Sequence, residues 1–400
     1  MTLFCKKVNS KTKMRKNITA IIAATALLAA SFLLDKPAAN IIQAIKTPLL
    51  TAAVTAFDNL YIWIYIAFLA ATIVAIAIKE TKDKRTQNIL KLLSTILTAM
   101  TITRLLKFII QRQRPDGTVF ELQFFGTKDY SFPSGHAAAT AAAALAAPAL
   151  LRVPWAIFTA VTVFDRLYLN VHFLSATVAG IIVAMLVNSI VKKMLRGKIR
   201  HEDLMEVRRQ ALHTIIGLAL AVFVWEYTQL WYVILIIAAA GLGLSYAIKS
   251  VSSLRKLAVG LLELVERKEE LKKFPGKGAI MLFIGAGITA AIFRKEAVAG
   301  IAILAVGDSI SPLAGRLFGR TNHKWIFARK KTWEGTVAGF VFASAAAAFF
   351  MPIWTAIIAA TAGMAVEAIN VRILGRKVDD NLTVPVVAAA AIWVSKLLIM

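Results

Sequence analysis

Residues 60–78 read LYIWIYIAFLAATIVAIAI, an apolar run without a charged side chain. A helix that crosses the hydrocarbon core of a membrane needs about 20 such residues. Similar apolar blocks recur along the 400-residue chain, for example at 18–34, 177–191 and 383–399. Hydrophobic residues make up 58% of the chain, and the mean hydropathy is +0.69. The sequence therefore predicts an all-α integral membrane protein, with two helical-bundle transmembrane domains and about twelve or thirteen spans.

The basic residues lie in short clusters between the apolar blocks, although the formal net charge is +25. Positive-inside anchoring explains this pattern, so a nucleic-acid partner is not expected. With the basic tail at 1–16 on the cytoplasmic side, counting spans places the segment 107–136 and His172 outside. The same count places three basic segments on the cytoplasmic side, namely 266–278, 307–333 and 371–382.

The most polar connecting stretch, from Lys192 to Gln210, divides the chain near its middle. We predict four segments: a basic cytoplasmic tail at 1–16, a first transmembrane domain at 17–195, a basic linker at 196–210 and a second transmembrane domain at 211–400. The single cysteine, Cys5, excludes an intrachain disulfide.

Three clusters in the first half have residue types and spacings suited to holding a phosphate. Lys107 and Arg114 are seven residues apart, about two helical turns, and are expected together at the end of one helix. The sequence Pro133-Ser134-Gly135-His136 precedes an alanine-rich helix, whose N-terminus favours an anion. The third cluster joins Arg166 to His172.

In this order, the clusters resemble the type 2 phosphatidic acid phosphatase and haloperoxidase family over about residues 17–195. The resemblance implies that His172 is the nucleophile that takes the phosphoryl group and that His136 is the general acid for the departing group. It also implies a set of phosphate-binding residues that needs no metal or other cofactor, namely Lys107, Arg114, Ser134, Gly135 and Arg166. A neutral imidazole can attack at neutral pH while cations offset the charge on the transferring oxygens.

Two positions depart from the family pattern. Asp165 stands where the family usually has serine, and Ala176 stands where it usually has an aspartate four residues after His172. That aspartate would hold the imidazole in its reactive tautomer. Ser175 is a possible weaker substitute, whereas Asp165 lies about 10 Å from His172 along an ideal helix. An active phosphatase and a slow or inactive phosphate-binding module both stay open.

A second polar cluster follows the apolar run that ends at Val306. Acids at membrane depth are costly, so Asp308 and Glu334 are candidate catalytic residues. A carboxylate such as that of Asp308 can hold Mg²⁺, glycines allow close approach to phosphates, and basic side chains neutralise them. The plainer interpretation is a set of loop glycines and anchoring cations. The candidate nucleotide-binding residues are Gly307, Ser309, Gly315, Arg316, Gly319, Arg320, Lys330, Lys331, Thr332, Gly335, Lys277, Asp380 and Asn381.

These residues resemble the CTP-dependent dolichol, phytol and yeast-type diacylglycerol kinases over about residues 208–400. The elements that carry the resemblance are Gly307–Ser309, Gly315–Arg320, Lys331–Gly335 and Asp380–Pro385. The resemblance implies transfer of the γ-phosphoryl group of CTP to a lipid alcohol, with Mg²⁺ at Asp308. Glu334 or Asp380 would serve the metal or the attacking hydroxyl. The choice of CTP rests wholly on the resemblance.

The sequence thus predicts a bifunctional lipid-phosphate enzyme. One half would dephosphorylate a lipid phosphate outside the cytoplasm through a phosphohistidine, and the other would phosphorylate a lipid alcohol inside it. Dolichol or another polyprenol is the first choice of lipid, while diacylglycerol, archaeal glycerol ethers and phytol stay open. The expected partners are polyprenol, polyprenyl phosphate and a nucleotide, and no protein partner can be named. The alternatives are a membrane cytidylyltransferase that makes a CDP-lipid, and a lipid-binding or transport protein with a degenerate phosphatase half.

Overall fold

The computed structural model is almost entirely helical and confirms the all-α class. The chain divides into two compact units, residues 1–121 with 128–196 and residues 122–127 with 197–400. The predicted tail at 1–16 and Cys5 lie outside the described residues, so the four predicted segments stay a prediction. The structure describes residues 22–122, 127–195, 201–251, 255, 262, 266, 271, 273–323, 331–369, 371–373 and 376–399.

The first part of the chain consists of seven helices and two short strands among the residues described. These elements are α1 (Ile22–Leu33), α2 (Asp35–Ala44), α3 (Pro48–Lys79), α4 (Lys82–Ile110), β1 (Phe120–Leu122), β2 (Thr127–Asp129), α5 (Gly135–Ala146), α6 (Ala149–Tyr168) and α7 (Leu174–Met194). The axes of α1 and α2 meet at 55°. Helix α3 begins at Pro48 because Thr47 caps it, with Oγ1 accepting a hydrogen bond from Leu50 N at 3.2 Å.

Helix α5 lies at the centre of the first unit and packs against α4, α6 and α7. All of its alanines except Ala144 are buried, and their small side chains let the neighbouring helices approach closely. Gly180 of α7 is required at this packing site, because a Cβ there would lie 2.5 Å from the Ser134 carbonyl oxygen. The side chain of Ser134 caps α5. The start of α5 and the start of α7 are therefore held side by side.

The second part of the chain contains eight α-helices and a small antiparallel hairpin among the residues described. These elements are α8 (His201–Glu226), α9 (Trp231–Ser250), α10 (Lys277–Phe293), α11 (Glu296–Ile303), α12 (Ser309–Phe318), α13 (Trp333–Ala347), α14 (Ile353–Ala368), β3 (Arg372–Ile373), β4 (Arg376–Lys377) and α15 (Asp380–Ile399). The core forms around α11, which packs against α8, α13 and α15. A π-helical turn, Leu304–Asp308, joins α11 to α12. Such turns are frequent at functional sites.

Six helices of the described residues are long and apolar enough to cross a membrane, or seven if α1 and α2 form one bent span. The six are Pro48–Lys79, Lys84–Ile110, Leu174–Lys193, Met205–Glu226, Thr228–Ser250 and Glu296–Phe318. A multi-pass membrane protein is supported, but the predicted twelve or thirteen spans are not confirmed. Some apolar blocks form shorter helices, such as the 12-residue α5, and α6 carries three charged side chains in its 20 residues.

Candidate active sites

Lys107 and Arg114 meet at the carboxylate of Asp129. Lys107 Nζ lies 2.8 Å from Asp129 Oδ1, and Arg114 Nη2 lies 2.9 Å from Asp129 Oδ2. A third cation that the motif did not predict, Arg104, places Nη1 2.7 Å from Oδ1. The expectation that Lys107 and Arg114 share one helix is wrong. Helix α4 ends at the left-handed Gln111, whose φ is 52°, and Arg114 lies in the following loop.

The side chains of Arg104, Lys107 and Arg114 form a cationic cluster, which we call the cradle. The Asp129 carboxylate forms an ion pair with each of them. Burial opposes ionisation of the Asp129 carboxyl, but the three cations outweigh that effect and lower its pKa. The carboxylate is therefore charged at neutral pH. A phosphate that enters the cradle must displace it or share the cations with it.

His172 is buried, and its Nδ1 lies 2.6 Å from the carbonyl oxygen of Ser131. A carbonyl can only accept a hydrogen bond, so Nδ1 carries the proton and Nε2 keeps its lone pair. Burial, followed by the charges of Lys107 and Arg114, lowers the pKa of His172 well below its ordinary value. The imidazole is therefore neutral at neutral pH, with a free lone pair on Nε2. A backbone carbonyl holds the tautomer that an aspartate usually holds.

The two departures from the family pattern have separate surroundings. Ala176 is fully buried and packs with Phe132 and Ala179, while its carbonyl oxygen accepts a hydrogen bond from Ser134 N at 2.9 Å. Asp165 accepts a hydrogen bond from Nε of its neighbour Arg166 at 2.5 Å.

The hydroxyl of Ser175 is also engaged away from the histidine. It donates a hydrogen bond to Oδ2 of Asp35 at 2.7 Å. The predicted substitute for the missing carboxylate thus contacts another carboxylate, rather than the His172 ring.

His136 packs edge-on against Tyr61 of α3, with the ring centroids 4.5 Å apart. Burial, Arg166 and Lys107 lower the pKa of His136 to about 3, so the free protein holds it neutral. A phosphate dianion in the cradle would favour its protonated form. Arg166 forms an ion pair with Asp58, a second α3 residue that the motifs did not predict.

In the second unit, Lys331 forms ion pairs with two carboxylates. Its Nζ lies 2.6 Å from Glu367 Oε1 and 3.4 Å from Asp380 Oδ2. Burial opposes the charge of Lys331, but the carboxylates of Glu367 and Asp380 outweigh it and raise the lysine pKa. Ser311 Oγ donates to the same Glu367 oxygen at 3.3 Å. Glu367 lies near the end of α14 and is the buried partner of this lysine.

Asp308 lies at the end of the π-helical turn, where His213 Nε2 is 4.0 Å from its Oδ2. Asp380 and Lys331 also act on it electrostatically. In the part of the chain that the structure describes, the buried His213 Nε2 and Glu367 Oε2 lack hydrogen-bond partners. Glu367 Oε2 can accept a hydrogen bond from a ligand, and His213 Nε2 can accept or donate one according to the tautomer of its ring.

The implied Mg²⁺ was predicted at Asp308. Among the described residues, no group of three or more His, Cys, Asp or Glu side chains could hold a metal ion. Mg²⁺ in nucleotide sites is commonly held by one or two carboxylates together with substrate phosphates and water. Asp308 with Asp380 fits that donor set, provided that the phosphates complete it.

Packing explains two of the predicted phosphate-approach glycines. A Cβ on Gly307 would lie 2.6 Å from Met364 Sδ, and one on Gly335 would lie 2.5 Å from the Ser311 carbonyl oxygen. The hydroxyl of Ser309 donates to the Ala305 carbonyl within its own helix at 2.7 Å.

Thr332 lies directly before α13 and close to two glycines of the preceding segment. Thr332 Oγ1 accepts a hydrogen bond from Gly335 N at 3.2 Å and caps the helix. A Cβ on Gly315 or Gly319 would lie within 3.0 Å of this threonine side chain. Glu334, a predicted catalytic residue, accepts a hydrogen bond from Thr321 N at 3.2 Å. These residues shape the loop around the start of α13.

The other predicted nucleotide-binding residues lie at helix ends. Lys277 Nζ, at the start of α10, is 3.5 Å from Asp379 Oδ2. Asn381 Nδ2 donates to Asp379 Oδ1 at 2.8 Å. Arg316 and Arg320 are exposed. Lys330 lies outside the described residues.

The fold and these clusters define a multi-pass α-helical membrane protein in which each unit gathers charged groups suited to phosphates. Residues 88–200 match the sequence model of the PAP2 superfamily. A phytol kinase of Synechocystis sp. (strain ATCC 27184 / PCC 6803 / Kazusa) is 31% identical over 98 residues, which are 24% of this chain and 42% of that relative. The match spans less than half of the relative. No solved structure matches significantly. Both predicted resemblances are confirmed, the second by a partial match.

Proposed function

We propose that the chain is a bifunctional lipid-phosphate enzyme, with a lipid phosphatase in the first unit and a CTP-dependent lipid kinase in the second. The observation that carries the proposal is the hydrogen bond from His172 Nδ1 to Ser131 beside the cationic cradle. This hydrogen bond keeps the proton on Nδ1 and leaves Nε2 unprotonated, while the cradle supplies cations that can hold a phosphate. The PAP2 match and the similarity to a phytol kinase support the two types of activity.

In the phosphatase unit, the lipid phosphate binds the cradle and displaces the Asp129 carboxylate. His172 Nε2 forms a bond to phosphorus while the bond from phosphorus to the lipid oxygen breaks. The leaving oxygen takes the proton of His136, which the phosphate charge has favoured. Neutral His136 then accepts a proton from water, whose oxygen displaces His172 and releases inorganic phosphate.

In the kinase unit, the nucleotide phosphates would bind near Lys331, Asp308 and Asp380, as their clustering suggests. Mg²⁺, held by the two carboxylates and the phosphates, would neutralise charge on the transferring group. Lys331 supplies a positive charge that Glu367 holds in place. A cytidylyltransferase would use the same groups and differ in its products, because it releases pyrophosphate where a kinase releases CDP.

We propose the phosphatase site on the extracytoplasmic side, the kinase site on the cytoplasmic side, and a long polyprenol such as dolichol as the lipid. A polyprenyl phosphate dephosphorylated outside and rephosphorylated inside would complete a carrier cycle. The charge distribution of the loops supports this orientation.

The test uses purified full-length protein with a panel of lipid phosphates, and separately with labelled CTP, Mg²⁺ and lipid alcohols. We expect His172→Ala to abolish phosphate release and retain CDP formation, and Asp308→Asn to do the reverse. Simultaneous loss of both activities in a folded variant would contradict two independent sites. Wild-type protein that is inert toward every lipid would favour the binding or transport alternative.

A further inference from the structure

Asp35 is a buried carboxylate at the junction of α1 and α2, far in sequence from every phosphatase motif. Its Oδ1 accepts a hydrogen bond from Ser175 N at 2.8 Å, and its Oδ2 accepts one from Ser175 Oγ at 2.7 Å. Arg112 Nη2 also lies 2.8 Å from Oδ2. A carboxylate is costly to bury unless it is paired and hydrogen-bonded, and these donors meet that requirement. Asp35 therefore has a fixed position.

Ser175 ties Asp35 to the segment that carries the histidine. It follows His172 by three residues and is the second residue of α7. Backbone N–H groups in the first turn of a helix have no partner within the helix. Asp35 supplies that partner, and so fixes the chain just after His172.

Arg112 ties Asp35 to the segment that carries the hydrogen-bond acceptor of His172. The Arg112 carbonyl oxygen accepts a hydrogen bond from Ser131 N at 2.9 Å and one from Ser131 Oγ at 3.1 Å. Its side chain also donates from Nη1 to Ser175 Oγ at 2.7 Å. Arg112 is thus bound to Asp35, rather than turned to the cradle.

The hydrogen bond from His172 Nδ1 to Ser131 depends on the relative position of these two segments. Asp35 contacts both of them, on the histidine side through Ser175 and on the carbonyl side through Arg112. An aspartate at position 176 would be the usual partner of this ring, but Ala176 packs in an apolar cluster instead. The network around Asp35 fills the same need indirectly.

We propose that Asp35 is a positioning residue for the phosphatase reaction. Through Ser175 and Arg112, it holds the His172 Nδ1–H on the Ser131 carbonyl, so that Nε2 stays free to attack phosphorus. The inference rests on the proposed phosphatase function of the same site. Residues that orient a metal-ligating imidazole typically contribute about 10- to 100-fold to metal affinity or activity, and we expect an effect at the lower end of that range for His172.

Asp35→Asn in the full chain is the central test, because the substitution keeps the size of the side chain and removes its charge. We expect kcat for a lipid phosphate to fall about tenfold, with little change in KM. Glu80→Gln is the matched control. Glu80 is a carboxylate of the same unit at the far end of α3, where its Oε1 accepts a hydrogen bond from Asn88 Nδ2 at 3.2 Å, and the kcat of this variant should equal that of the wild type. Ser175→Ala, which retains the backbone bond, should show a smaller loss in the same direction.

Histidine tautomers supply a readout that does not need a substrate. We would label the protein with ¹⁵N-histidine and assign His172 by its absence in His172→Gln. The wild type should show protonated Nδ1 alone, and Asp35→Asn should show both tautomers. If Asp35→Asn is poorly folded, Ser175→Ala carries the same comparison.

An unchanged kcat and a single tautomer in Asp35→Asn would overturn the inference. A smaller amount of folded protein with a normal kcat per folded molecule would also overturn it, because that result means a purely structural role. Wild-type protein that hydrolyses no lipid phosphate would instead overturn the proposed function, while the tautomer comparison would still test Asp35.

Discussion

Replacing Asp129 with asparagine should have opposite effects on two properties: it should lower the stability of the protein without phosphate and raise the affinity of the cradle for phosphate. The carboxylate lies within 2.9 Å of the nearest donor on each of Arg104, Lys107 and Arg114. The side chains of Lys107 and Arg114 are only 9% and 4% exposed, while that of Asp129 is 18% exposed. Removing one partner of a buried ion pair costs about 3–5 kcal/mol. Because Asp129 is partly hydrated, we expect a loss of about 3 kcal/mol in unfolding free energy without phosphate.

The same substitution removes the anion that competes with phosphate. If about half of that 3 kcal/mol returns as phosphate affinity, the gain is near 1.4 kcal/mol, which corresponds to about tenfold. The inhibition constant of inorganic phosphate should therefore fall about tenfold in Asp129→Asn. Thermal unfolding should begin lower than in the wild type without phosphate, and added phosphate should raise it by more.

Two measurements check this reasoning, namely phosphate inhibition of lipid-phosphate hydrolysis and thermal unfolding across a phosphate titration. Glu80→Gln serves as the charge-matched control, since the Glu80 side chain contacts Asn88 at the far end of α3. An Asp129→Asn variant with unchanged or weaker phosphate inhibition, and with a stability loss that phosphate does not rescue, would refute the assignment of the cradle.

Three further results are expected. Burial lowers the pKa of His172, so its imidazole stays neutral below the ordinary histidine value of about 6.5. An acid limb of kcat/KM caused by its protonation should therefore lie below pH 6.5, and a limb at or above that value would contradict the neutral buried ring. Ala176→Asp should lower the thermal stability of the protein without raising kcat, because it buries a charge beside Phe132. Higher turnover in a stable variant would show that the Ser131 carbonyl orients His172 poorly. Lys331→Met should lower the free energy of unfolding by about 3–5 kcal/mol, because it leaves Glu367 buried without its cation. The control Lys277→Met removes a cation from a more exposed ion pair and should change the free energy of unfolding by about 1 kcal/mol or less.

Local sequence patterns predicted the all-α membrane class and the motif residues of the first site. They did so because apolar runs and short motifs are properties of neighbouring residues. Asp129 and Asp35 were missed, since their contacts with Lys107 and Ser175 arise only in the folded chain. Asp35 lies 140 residues from Ser175 in sequence and contacts it through tertiary packing alone.

The glycine pattern of the second unit shows a different limit of sequence reasoning. Glycine marks a close backbone approach, but the sequence does not tell whether a phosphate or another helix makes that approach. At Gly307 and Gly335 the close neighbours are Met364 and the Ser311 carbonyl oxygen. Helix packing thus accounts for these two positions in the described structure.

Two carboxylates, Asp35 of α2 and Asp58 of α3, limit how far the first unit can be shortened in work on isolated fragments. Asp35 and Asp58 precede the segment 88–200 that matches the PAP2 superfamily, and they pair with Arg112 and Arg166 inside it. A fragment cut to the matched segment would keep both histidines and every motif cation, yet Arg112 would lose Asp35 and Arg166 would lose Asp58 while retaining its neighbour Asp165. Chimeras and minimal versions of this phosphatase unit should therefore be built from helix α2 onward.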